Sequence, residues 1–147
     1  MPDETLLAFD FGTRRIGVAV GTAMLKTARP LLTIDAEANA IRFETIGRLI
    51  AQWQPNRLVV GLPLALDGSE HEMSARARRF AQQLHGRFGL PVALADERLS
   101  SVAAEDNLRR KGRDARRDKA AVDAEAAAII LQSYLERSGH ADPAFRP

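Results

Sequence analysis

Three carboxylates stand where a carboxylate is costly. Asp10 lies between Phe9 and Phe11 in the run LLAFDF, Glu97 follows directly on the run PVALAD, and Asp123 sits in the alanine-rich stretch AAVDAEAAA. A charge in apolar surroundings raises the free energy unless it is paired, metal-bound or at an open edge. Three carboxylates within about 4 Å of one another repel by roughly 4 kcal/mol per pair at a surface-like dielectric, which a cation would relieve. Oxygen ligands without His or Cys suit Mg²⁺ or Mn²⁺. Two such ions about 3.5–4 Å apart can activate a water and stabilise the leaving oxygen of a phosphodiester. Asp10, Glu97 and Asp123 are therefore the expected catalytic and metal-binding set, provided the fold brings them together. Each also has a purely structural reading. Asp10 can prepare the turn at Gly12, and Asp123 can pair with Lys119 one helical turn back, worth only a few tenths of a kcal/mol.

A second feature bears on the substrate. Arg109, Arg110, Lys111, Arg113, Arg116, Arg117 and Lys119 crowd the segment RRKGRDARRDK against Asp114 and Asp118, a local charge of +5 in a chain of net +2. The rest is thus about −3. Such focusing suggests a polyanion partner, with a solvated loop as the plainer alternative. Aromatic residues make up only 5% of the chain, and Trp53 and Phe88 read as core, so base stacking is not expected to dominate recognition.

The elements that must position these residues follow from periodicity. Leu6–Phe11 reads as a strand, Gly12–Thr13 as a turn and Arg15–Gly21 as the returning strand. A short third strand, Ala28–Ile34, starts around Pro30. Residues 37–53 carry Ile41, Ile46, Leu49, Ile50 and Trp53 at helical spacing, closed by Pro55. Arg57–Leu62 is continuously apolar, as in a strand covered on both faces and parallel to its neighbours. A loop with Asp67, Gly68 and Glu70 leads to a helix over Glu72–Phe88, ended by Gly89. Pro91–Ala95 is a further buried strand. Ser100 or Ser101 can cap a short helix over 102–111, and Asp118–Leu135 is an alanine-rich helix with a core stripe at Val122, Ile129 and Ile130.

The expected architecture is an α/β fold: a mixed five-stranded sheet, three strands antiparallel and the later two parallel, with helices on both faces. Sites in such sheets gather at the carboxyl ends of parallel strands. Asp96 and Glu97 are adjacent and would point to opposite faces, so only one reaches the metals, with Glu97 preferred. Asp67 and Glu70 border the same rim, and turn chemistry is their alternative.

Composition narrows the classes. There are no cysteines, and the three histidines lack metal-pair spacing and read as exposed polar residues. No apolar run approaches the roughly 18–20 residues of a membrane span. The acidic start MPDETLLAFD is unlike a signal peptide, so a cytoplasmic protein is expected.

The motifs DFGTRRIGVAV, VVGLPLALDGSE, DERLS and DKAAVDAEAAAIILQSYL resemble the YqgF family, also called RuvX, in order from about Leu6 to Leu135. That resemblance implies an RNase H-like fold; one such nuclease domain is expected over 1–137, and the segment SGHADPAFRP over 138–147 reads as a flexible tail. It implies catalytic roles for Asp10, Glu97 and Asp123, and phosphate contacts for Arg15, Arg98 and Lys119. The implied activity is a nuclease using Mg²⁺ or Mn²⁺, with two ions expected. Its partner would be precursor 16S ribosomal RNA or, alternatively, branched DNA, and its state a monomer or weak dimer. Asp-Phe-Gly-Thr also resembles the first phosphate motif of actin-like ATPases and sugar kinases, but those need a second domain and about twice this length. A non-catalytic RNA- or ribosome-binding adaptor is the remaining alternative.

Overall fold

The computed structural model describes residues 4–96 and 119–137, with the side chains of residues 119 and 120 excepted. In chain order its elements are β1 (Thr5–Phe11), β2 (Arg15–Thr22), β3 (Thr27–Asp35), α1 (Asn39–Trp53), β4 (Arg57–Leu62), α2 (Glu72–Phe88), β5 (Val92–Asp96) and α3 (Lys119–Glu136). They build one five-stranded sheet in the order β3-β2-β1-β4-β5. The β1–β2 and β2–β3 pairs are antiparallel, while β4 runs parallel to both β1 and β5. The expected mixed sheet is what forms.

Side-chain size sorts the two faces. Leu7 and Phe9 of β1, Ile16, Val18 and Val20 of β2, and Leu58, Val60 and Leu62 of β4 face α1 and α2, packing on Phe43, Ile46, Leu49, Phe80 and Leu84. The alternate residues are mostly small, with Ala8, Ala19 and Ala95 joined by Leu6 and Val59 against α3. Because successive strand side chains point to opposite faces, a large-small alternation gives one thick layer and one thin one. On the thin side α3 meets the sheet through Ala124, Ala127 and Ala128 and is anchored by Ile130, Leu131 and Leu135. Full burial of each of these last three stabilises by about 1.5–3 kcal/mol. Val122 and Ile129 are only half-buried, so the seam lies one step round the helix from the expected stripe.

Two further readings are corrected. The third strand begins before Pro30, which sits inside β3 next to an irregularity in register between Val18 and Ala19. Pro lacks an N–H, and the outer position of β3 in the sheet tolerates it. Gln132 of α3 also accepts from Ala28 N–H and donates to the Lys26 carbonyl, covering part of that edge. In α1 the buried stripe is Arg42, Phe43, Ile46 and Leu49, whereas Ile41 is exposed. Arg42 earns its interior place by donating to the carbonyls of Ala36 and Gly12. Burial lowers its pKa from the ordinary value, and nearby Glu37 opposes the shift.

The two histidines among the described residues have local roles. His71 caps α2, its ring accepting from Met73 N–H, and the half-buried His85 bonds the Leu90 carbonyl. No helix of the described residues is long and apolar enough to cross a membrane.

Candidate active site

Asp10 is the last β1 residue on the thin side, continuing the line of Leu6 and Ala8. Its partner across the ladder is Gly17. At Gly17 α3 crosses β2 so closely that an added Cβ would lie 1.9 Å from the carbonyl oxygen of Asp123 and 2.9 Å from Ala124 N. Asp10 therefore neighbours the strand position over which the backbone of Asp123 passes. The hairpin register and one missing side chain bring the backbone of Asp123 over the strand position beside Asp10, although the two residues are 113 positions apart in sequence.

Arg15 shares that face, two residues before Gly17. Its Nε donates to Oδ2 of Asp123 at 2.8 Å, with about a quarter of each side chain exposed. The alternative partner for Asp123, Lys119, has a side chain outside the described residues. Arg15 thus meets Asp123 directly, a contact that sequence spacing does not disclose. A guanidinium has five N–H donors, so this bond leaves others for a phosphate.

On β5, Asp96 falls on the side of Val92 and Leu94, facing away from α3. Glu97, Arg98, Arg109, Arg110, Lys111, Arg113, Arg116 and Arg117 lie outside the described residues, as do the expected helix over 102–111 and the tail 138–147. Among the described residues no three His, Cys, Asp or Glu side chains gather as a metal site. Asp10 and Asp123 carry oxygen donors of the kind the expected Mg²⁺ or Mn²⁺ site needs, and the expected third donor, Glu97, lies outside the described residues.

The rim loop has its own chemistry. Asp67 accepts from Ser69 N–H and Oγ, and Gly68 takes a positive φ of 90°, so the expected turn is formed. Glu70 receives two bonds from Arg78, at 2.9 and 2.7 Å. The Arg78 hydrogen bonds hold the Glu70 carboxyl below its ordinary pKa. A depressed carboxylate stabilises above its unfolded pKa of about 4.3, and this is lost as pH falls through the folded value. Hydrogen exchange of the Gly68 and Ser69 amides should accelerate relative to the intrinsic rate below that pH. Glu70→Gln should remove this pH dependence. Since Glu70 is exposed, the global unfolding midpoint should not follow.

Comparison with known proteins agrees with this architecture. Residues 4–137 match the family model RuvX, described as Holliday junction resolvase. A Bordetella parapertussis protein is 57% identical over 92% of this chain and 96% of its own. A Dechloromonas aromatica protein is 53% identical over 95% of each. Both are named as candidate pre-16S rRNA nucleases. The Thermus thermophilus RuvC solved with a Holliday junction substrate superposes with a TM-score of 0.54 at 19% identity, covering 96% of this chain and 99% of that one. That likeness establishes an RNase H-like fold. By sequence along nearly its whole length, the chain belongs to the RuvX (YqgF) family.

Proposed function

We propose that this protein is a divalent-metal-dependent endonuclease that hydrolyses phosphodiester bonds of structured nucleic acid, processing the 5′ end of precursor 16S ribosomal RNA in the cytoplasm. The observation that supports the chemistry is the close crossing of α3 at Gly17, the ladder partner of Asp10, with the Asp123 backbone over it. The names of the relatives favour the RNA substrate. Asp10, Glu97 and Asp123 would hold the metal, two Mg²⁺ or Mn²⁺ ions. When bound, those ions supply an activated water and neutralise charge on the leaving oxygen. Arg15 fixes the Asp123 carboxylate and offers its other donors to phosphate. Arg98 and the cations from Arg109 to Lys119 grip the backbone, giving affinity with little sequence choice.

The description of the family model favours a second reading, resolution of branched DNA. Symmetric cutting of two strands needs paired sites and hence a dimer, whereas trimming a precursor can be done by a monomer or weak dimer. The test is cleavage of a labelled precursor RNA fragment and a four-way DNA junction in Mg²⁺, Mn²⁺ or chelator. Metal-dependent cutting of the RNA is the expected result. Cutting of the junction alone transfers the activity to DNA, and binding of both without cutting identifies an adaptor.

A further inference from the structure

Asp10 and Phe11 end the same strand but face opposite ways. Behind Phe11, on the side of α1 and α2, is a cavity of about 560 Å³ that the proposed reaction does not use. That volume is within the roughly 300–1,000 Å³ of small-ligand sites. Its apolar wall is the pair Phe11 and Phe80, ring centroids 4.9 Å apart. Helix α2 presents Glu72, Arg76, Arg79 and Gln83 to it at spacings of three and four, one continuous face of the helix. Across from them, α1 contributes Asn39 and the buried Arg42, whose bond to the Gly12 carbonyl ties this wall to the hairpin turn.

The charges in the cavity nearly cancel, and the remainder is informative. Arg76 pairs with Glu72 at 2.8 Å, and Arg42 has Glu37 nearby. Arg79 has no hydrogen-bond or ion-pair partner among the described residues. A lining with one cation in excess suits a group carrying one negative charge, as a phosphodiester does. A terminal phosphate, with close to two charges, is matched less well. The half-buried Phe11 ring beside it suits a base, and the side-chain amides of Asn39 and Gln83 offer both donors and acceptors to its edge. Exposed Thr13 and Arg14 at the hairpin tip lie between this cavity and the Asp10 side.

We infer that the cavity receives one nucleotide of a single-stranded segment flanking the cleavage site, its phosphodiester on Arg79 and its base against the half-buried Phe11. The strand reaches it from the Asp10 side across the turn at Thr13 and Arg14. This rests on the nucleic-acid reading above and adds a contact on the opposite face of the sheet.

The test uses the full chain carrying Asp10→Asn, so that binding is measured without cutting. A fluorescein-labelled single-stranded RNA is titrated by anisotropy across a salt series. Adding Arg79→Glu should weaken binding about tenfold and reduce the salt slope by about 0.7, the share of one phosphate on a single strand. Arg79→Gln should weaken it about threefold with the same loss of slope. Arg48→Glu, an equal charge change at an exposed α1 position outside the cavity, should stay within about twofold of the parent. The side-chain amide NMR signals of Asn39 and Gln83 should shift with RNA in the parent and stay in place in Arg79→Glu. Binding and slope unchanged in Arg79→Glu, or amide signals unmoved in the parent, would overturn the inference. A wild type that binds RNA but never cuts it would instead count against the nuclease reading, leaving this one standing.

Discussion

Gly17→Ala is expected to destabilise the fold by about 3 kcal/mol, at the upper end of ordinary overpacking, and to abolish cutting. The new methyl carbon would sit 1.9 Å from the Asp123 carbonyl oxygen, 2.3 Å from its carbon and 2.9 Å from Ala124 N. All three obstacles are backbone, so no rotamer change relieves them. Either α3 lifts off β2, loosening Ile130 and Leu131, or the hairpin shifts and carries Asp10 with it. Both movements separate Asp10 from Asp123. At about 2–4 °C per kcal/mol for a domain of this size, the melting midpoint should fall by about 6–12 °C. Gly47→Ala is the control. A Cβ there would meet Phe88 Cε1 of α2 at 3.5 Å, an ordinary contact, and replacing a glycine inside α1 should gain up to about 1 kcal/mol. Thermal unfolding followed by circular dichroism checks both. Equal midpoints for the two variants would mean that α3 does not press on Gly17 as described.

Gly17 also marks where sequence reading stops. Alternation of Ile16, Val18 and Val20 announces β2, and the apolar runs of β1, β4 and β5 announce a sheet covered on both faces. These are local patterns, and they suffice for the topology. The alternation also shows Gly17 on the thin side, but not which element fills the space above it. That depends on the crossing of α3, a contact between residues more than a hundred positions apart. The Arg15–Asp123 pair is hidden for the same reason. Arg42 was more accessible: it lies four and seven residues before Ile46 and Leu49, on the apolar stripe of α1. A charged residue in such a stripe is readily passed over, although the structure satisfies it through two backbone carbonyls. The alanine-rich helix α3 is legible in the sequence as a helix with one core stripe. Its rotational phase is not, because alanines leave the apolar direction of a helix poorly defined and two or three larger residues decide it.

Asp10→Asn should lower metal-dependent cleavage by about a thousandfold, close to 4 kcal/mol of transition-state stabilisation, while the protein stays folded and binds nucleic acid at least as tightly. Asparagine keeps the shape of the side chain on β1 and removes the charge that would bind a cation. In chelator, where no cation links carboxylate and phosphate, removing a negative charge beside the scissile phosphate cannot weaken binding through electrostatics, so rate in metal and affinity in chelator should part. That separation is what a merely structural Asp10 would not produce, since a damaged hairpin would lose both together. Asp123→Asn is the less clean experiment. It also breaks the 2.8 Å ion pair with Arg15, which should cost on the order of 1 kcal/mol of stability at this exposure, and it leaves a guanidinium beside the site without that carboxylate. Single-turnover cleavage and anisotropy on the same preparations measure the two quantities. If Asp10→Asn cuts at the wild-type rate, the carboxylate pair does not perform the chemistry, and the closeness of α3 to β2 serves packing alone. If it binds normally and cuts a thousandfold more slowly, the crossing at Gly17 is the feature through which this fold becomes a nuclease.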